Sequence, residues 1–211
     1  MKTTLKIIVL LLTLSLTSCN GNLNLIDGID GSGNVVTEKR NIETPFTKIQ
    51  ASTGVEVILE QGSPSEVEVE VDDNLMKYIV TRVENGTLIV KIDGNINTME
   101  SAIVRVKTKT IEGLESSSGA SIKTINKLSG TSLALKTSSG STIQADLEYE
   151  KVSCESTSGS EIKVSGKALT LDTKSSSGSE IDAKDLAANE ITAQSTSGSN
   201  TTVNPIVLLN A

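Results

Sequence analysis

The chain has 211 residues, 36% of them hydrophobic but only 1% aromatic, with no Trp and no His. Its core must come from Ile, Val, Leu, Ala and Thr, which suit sheets, and nucleophilic chemistry that relies on an imidazole base is excluded. A formal net charge of −7 and a pI near 4.8 argue against nucleic acid, whose phosphates call for a basic surface.

The first segment reads as an address. Lys2 and Lys6 flank a short basic start, and Ile7 to Leu16 is apolar apart from Thr13 and Ser15. This run is too short to span a bilayer and fits a secretory signal peptide. It ends in Leu16-Thr17-Ser18-Cys19, which resembles a bacterial lipobox. Residues 1–18 are therefore expected to be removed, with Cys19 the lipidation site, bearing diacylglycerol and palmitate-like chains. Losing Lys2 and Lys6 takes the formal charge from −7 to −9. Acyl chains hold at ~0.8 kcal/mol per buried CH₂, so the protein would be anchored to a membrane without spanning it. Cys154 is the only other cysteine, and acylation of Cys19 leaves it without a disulfide partner. Residues 19–34, rich in Asn, Gly and Asp, read as a flexible tether; Leu23, Leu25 and Ile29 offer the alternative of an ordered first strand.

From Val35 the pattern turns to strands. Phe46 to Glu60 reads as two strands around Ser52-Thr53-Gly54, an early corner. After Gly62-Ser63-Pro64, Val67, Val69 and Val71 alternate with Glu66, Glu68 and Glu70, a strand with a solvated acidic face. Asp72 to Tyr78 reads as a helical turn carrying Leu75 and Met76. Ile79 to Ile92 reads as a hairpin across Asn85-Gly86, a strong turn signal. Gly94 to Asn97 reads as a loop, and Ala102 to Val106 as a further strand. This half is either distorted coils of the solenoid described next or a separate capping sheet, with one continuous body favoured.

Between Glu115 and Val203 one phrase returns five times, as Ser-Ser-Gly or Thr-Ser-Gly, with glycines at Gly119, Gly140, Gly159, Gly178 and Gly198. Their spacings of 21, 19, 19 and 20 residues mark a repeat architecture. Three residues after each glycine stand Ile122, Ile143, Ile162, Ile181 and Thr201. Seven and five before it stand Leu133 and Leu135, Val152 and Cys154, Leu171 and Thr173, Ile191 and Ala193. These columns alternate with polar residues, so each repeat holds two period-2 segments bent at a Ser-Gly corner. A coil that returns every ~20 residues and stacks at about 4.8 Å is a parallel β-helix. The expected fold is all-β, a parallel β-helix with a less regular N-terminal half. Its domain covers 35–211, its regular repeats about 112–203, and the stretch from Asn204 to Leu209 forms a last strand or cap.

Candidate chemistry is sparse. Cys154 falls in an inward column and reads as a core thiol. Asp146, Asp172, Asp182 and Asp185 occupy different repeat positions and are not expected to stack. Two residues after their glycines, Glu161 and Glu180 fall on adjacent coils. A bridging Ca²⁺ is conceivable there, but two solvated glutamates pointing apart are the favoured reading; no cofactor and no metal are expected. Carbohydrate sites usually offer an aromatic platform, and only Phe46, Tyr78 and Tyr149 are available.

The lipobox, the Phe46 to Glu60 strand pair, the hairpin and the Ser-Gly repeats together resemble the bacterial auto-transporter adhesin, head GIN domain family, over roughly Val35 to Val203. That resemblance implies a right-handed β-helix and a cell-envelope location. The expected role is structural or adhesin-like, carried out by an outer-membrane lipoprotein on either the surface or the periplasmic side. Its expected partners are the membrane, through the lipid, and a glycan or protein ligand. The alternatives are an envelope polysaccharide-active enzyme and a periplasmic scaffold for another envelope protein.

Overall fold

The structure, a computed structural model, describes residues 28–206. The expected signal peptide at 1–18, Cys19 and residues 207–211 lie outside the described residues. The strands are β1 (Ile29–Asp30), β2 (Val35–Arg40), β3 (Lys48–Ser52), β4 (Glu56–Gln61), β5 (Glu66–Asp72), β6 (Ile79–Glu84), β7 (Thr87–Ile92), β8 (Ile96–Thr98), β9 (Ala102–Thr108), β10 (Gly113–Ser116), β11 (Ser121–Thr124), β12 (Leu128–Thr137), β13 (Thr142–Ser156), β14 (Glu161–Ser175), β15 (Glu180–Ser195) and β16 (Asn200–Pro205). A 3-10 turn, Asp73–Tyr78, joins β5 to β6 and buries Leu75.

The fold is a β-solenoid of stacked parallel coils of about 20 residues, about 5 turns in all. Identical repeat positions pair in register. On one face the inward column runs Val69, Val104, Val57, Ile122, Ile143, Ile162, Ile181, Thr201. On a second it runs Val83, Leu88, Ile49, Leu114, Leu135, Cys154, Thr173, Ala193. The expected columns thus form, and they extend into the irregular half. β12 to β15 also bend through a third face, where Leu128, Leu147 and Leu186 are buried. There Tyr149 lies over Gly130, where a Cβ would come 2.7 Å from its ring. Its hydroxyl donates to the Ile111 carbonyl at 2.9 Å. Burial, and then the charge of Glu112, push its phenol up to about 12.

The N-terminal half is both coil and cap. β3 and β4 form a coil below β10 and β11, and β7 and β9 lie below that coil, all parallel. The coil that comes first in sequence is therefore second in the stack. Antiparallel β6 closes one face of this end, and antiparallel β5 and β2 close the other. Glu66, Glu68 and Glu70 stand on the outer side of this sheet, beside Lys107, Arg105 and Ile103, with Glu70 bound to Arg105 at 3.1 Å. Charged residues on the outermost strands, Glu38, Lys39 and Arg40 on β2 and Arg82 and Glu84 on β6, discourage further pairing. The opposite end is more open: in β15 Ile191 is half-buried and Ala193 exposed.

Two segments differ from the sequence expectation. The loop Gly94 to Asn97 leads into β8, which pairs with β1 in parallel. Likewise the last seven residues of the expected tether, 28–34, are docked on the body through Asp72, Asp73 and Asn74. Both depend on partners 39 or more positions away, which a local pattern does not reveal.

Candidate functional site

The Ser-Gly corners form the most regular feature of the surface. At each, two successive residues take positive φ: Thr53 and Gly54, Ser118 and Gly119, Ser139 and Gly140, Ser158 and Gly159, Ser177 and Gly178, Ser197 and Gly198. An i→i+3 bond closes several of these turns, for example Ala120 N–H to the Ser117 carbonyl at 3.1 Å. Paired positive φ with this bond is a type I′ turn, the geometry that Asn85-Gly86 adopts in the hairpin. The glycine accepts φ near 70° without a Cβ penalty, whereas Ser tolerates it at a cost. Corners are tied along the stack because each glycine N–H donates to the serine carbonyl of the next coil: Gly54 to Ser118, Gly119 to Ser139, Gly140 to Ser158, Gly159 to Ser177 and Gly178 to Ser197, at 3.1–3.2 Å.

The corners present two populations of hydroxyls. Outside stand Ser52 and Thr53, Ser117 and Ser118, Ser138 and Ser139, Thr157 and Ser158, Ser176 and Ser177, Thr196 and Ser197, repeating at about the 4.8 Å coil rise. The first residue of each of the five earlier pairs is half-buried and the second exposed. Within this double row Ser176 Oγ donates to Thr157 Oγ1 of the neighbouring coil at 3.2 Å. Such a row offers donors and acceptors at regular intervals and no ionisable group.

Inside, a second set is buried: Ser116, Thr137, Ser156 and Ser175 three residues before the glycines, and Ser141, Ser160 and Ser179 one after. Their hydroxyls are satisfied within the corner or by the coil before it. Ser141 Oγ donates to the Ser116 carbonyl at 2.6 Å, and Ser179 Oγ to the Ser156 carbonyl at 2.7 Å. Ser160 Oγ donates to the Thr157 carbonyl at 2.6 Å and accepts the Thr157 N–H at 3.2 Å. The sequence reading attributed all these serines to turn chemistry and missed the inner set. Each stands two positions from a residue of the inward columns, as Thr137 from Leu135 and Ser160 from Ile162, and this shared phase was the signal that could have found them.

The remaining candidates are placed as follows. Gly119, Gly140, Gly159, Gly178 and Gly198 stack as corner glycines. Cys154 is buried, and burial pushes its thiol up to about 12, so at neutral pH it is a protonated core group. Glu161 and Glu180 lie side by side in register, both exposed. Among the described residues no group of three or more His, Cys, Asp or Glu could hold a metal ion. Asp146 and Asp185 do share a column, with Ser165 between them, against the expectation that the aspartates would not stack. The cause is a register shift between Lys163 and Ser165, which absorbs the extra residue of the last repeat. Ser165 Oγ reaches Asp146 Oδ1 at 3.4 Å.

A capped β-solenoid with hydroxyl-lined corners is the class of protein defined by these coils. Residues 45–211 match the profile of the family "Putative auto-transporter adhesin, head GIN domain", and the chain belongs to that family. Among solved structures it is similar to a "putative adhesin" from Bacteroides fragilis, with 23% identity, a TM-score of 0.77 and 84% of each chain covered. A second adhesin so described, from Parabacteroides distasonis, gives 22% identity, a TM-score of 0.70 and 84% of each chain. A structure from the same species described as a "putative lipid binding protein" shares 18% identity and a TM-score of 0.65, covering 83% of this chain and 84% of that one. At these identities the likeness concerns the fold. No curated protein matches the chain.

Proposed function

We propose that the chain is a lipid-anchored protein of the bacterial envelope, held at Cys19, and that its solenoid acts by non-catalytic adhesion. The observation that carries this reading is the double row of outer hydroxyls, repeated on six successive corners in register. Each hydroxyl contact contributes only about 0.5–1.5 kcal/mol, but a stiff row meets an extended partner at many points without ordering cost on its own side. Membership of an adhesin family supports the same role. The lipobox Leu16 to Cys19 supports outer-membrane anchoring. The ligand class that fits is a polyhydroxylated or amide-rich polymer, a glycan or an extended protein segment.

The test is binding of a soluble Asn20–Ala211 fragment to a panel of glycans and matrix proteins, beside a Ser158→Asp, Ser177→Asp variant. Asp tolerates positive φ, so the variant keeps the turn and alters only the row. Saturable binding that the variant loses is the expected result. Absence of saturable binding to every member of the panel would sink adhesion; release of shortened glycan products would replace it with catalysis.

A further inference from the structure

Asp72 is the only charged residue that is buried among the described residues. A carboxylate so placed is costly unless its oxygens are bonded, and its donors belong to two segments that bury little of their own. Oδ1 accepts the Gly33 N–H at 2.6 Å, and Oδ2 accepts the Glu100 N–H at 2.9 Å and the Ser101 N–H at 3.4 Å. The next two residues extend the grip. Asp73 accepts the Ser32 hydroxyl at 2.6 Å and the Asn34 amide at 3.0 Å, while its own N–H donates to the Asn34 carbonyl at 3.0 Å. Asn74 accepts the Ser32 N–H at 3.0 Å and donates to the Asp30 carbonyl at 2.8 Å. From the other side the Ile29 and Gly31 N–H groups donate to the carbonyls of Asn95 and Thr98, both at 2.8 Å. The fit is close, because a Cβ on Gly31 would come 2.8 Å from Asp72 Oδ1. Ile29 alone of this segment packs against the core, and Asp30, Ser32, Gly33 and Asn34 are exposed.

We infer that residues 28–34 are a strap, held on the solenoid mainly by polar contacts, that sets how far the body stands from its N-terminal attachment, with Asp72 as the catch. The consequence for reach rests on the proposed anchor at Cys19. With the strap docked, the chain from Cys19 to Gly28 extends at most about 30 Å. With it released, the first fixed residue is Val35, which β2 pairs to β5, and the limit becomes about 55 Å. The solenoid itself is untouched, because its columns begin beyond the strap. A closed strap therefore holds the body near the bilayer, and an open one lets the corner row reach outward. Local opening of this kind draws on segments with few apolar contacts.

Hydrogen–deuterium exchange on the full chain in detergent tests this, comparing the native protein with Asp72→Asn and Asn74→Ala. Asn74 is exposed, so its truncation leaves the core intact should Asp72→Asn fail to fold. The expected result is slow exchange at Ser32 and Gly33 in the native protein. Each variant should speed these amides at least ~10-fold, Asp72→Asn should also speed Glu100, and β12 to β15 should be unchanged in both. Fast exchange at Ser32 and Gly33 in the native protein would overturn the strap. Unchanged exchange in Asp72→Asn, or loss of protection throughout the solenoid in both variants, would overturn the catch. The intact mass of membrane-extracted protein reports separately on the lipid: a slow strap on an unlipidated chain keeps the strap and removes the anchor.

Discussion

Two glycines of this chain are required for different reasons, and the difference is measurable. Gly159 has φ of 68° with nothing within 4 Å of where a Cβ would lie, so Gly159→Ala suffers backbone strain alone, about 1–2 kcal/mol. Gly130 faces the Tyr149 ring, so Gly130→Ala forces that ring to shift and costs about 1–3 kcal/mol by overpacking. Denaturant unfolding gives both costs, and Gly130→Ala alone should also disturb the fluorescence of buried Tyr149. Cys154 offers a second check at this scale. Its thiol is buried and pushed up to about 12, so alkylation at pH 8 should be negligible in the native protein and complete in denaturant. Rapid labelling of the folded chain would show that its column is not closed.

At the scale of elements, the corner is a unit whose inner and outer hydroxyls do different work. Ser160→Ala removes the hydroxyl that donates to the Thr157 carbonyl at 2.6 Å inside the corner, while the Thr157 N–H keeps the Thr137 carbonyl as acceptor, and is expected to cost about 0.5–1.5 kcal/mol. Ser153→Ala, on the exposed side of β13, should stay within about 0.5 kcal/mol. The strap responds to pH. Burial pushes Asp72 up, but the N–H groups of Glu100, Gly33 and Ser101 outweigh it and hold its carboxyl below the ordinary 3.8; the Ser32 and Asn34 side chains hold Asp73 down likewise. A depressed carboxylate pKa contributes stability that is present above the unfolded value and lost as pH falls through the folded one. Thermal unfolding should thus be insensitive to these groups from neutral pH to about pH 5. Below the ordinary carboxylate value the midpoint should drop, and Asp72→Asn should lack part of that drop.

Across the whole molecule, the sequence was most informative where the structure repeats. Ile122, Ile143, Ile162 and Ile181 recur at the coil length, and a period of two around a fixed glycine leaves one way to stack them. Thr53-Gly54 was legible as an early corner for the same reason. The stacking order of the first coils was not, because Val57 pairs with Val104 across an excursion of 47 residues and nothing in either strand marks the other as its neighbour. Asp72 was hidden too: its role depends on Gly33 and Glu100, unique positions with no counterpart in the repeat. Of the candidate site, the outer serines were visible as a motif, while the division into buried and exposed hydroxyls needed the path of the strand. The cap at one end and the neighbour-to-neighbour bonding along the corners describe a short rod suited to presentation from a surface.

Protease shaving of intact cells that produce the full chain tests that presentation most directly. If the solenoid is an anchored adhesive rod on the cell exterior, external protease should remove the folded body from intact cells. Protection until the outer membrane is broken would contradict it and would place the hydroxyl row against a partner inside the envelope.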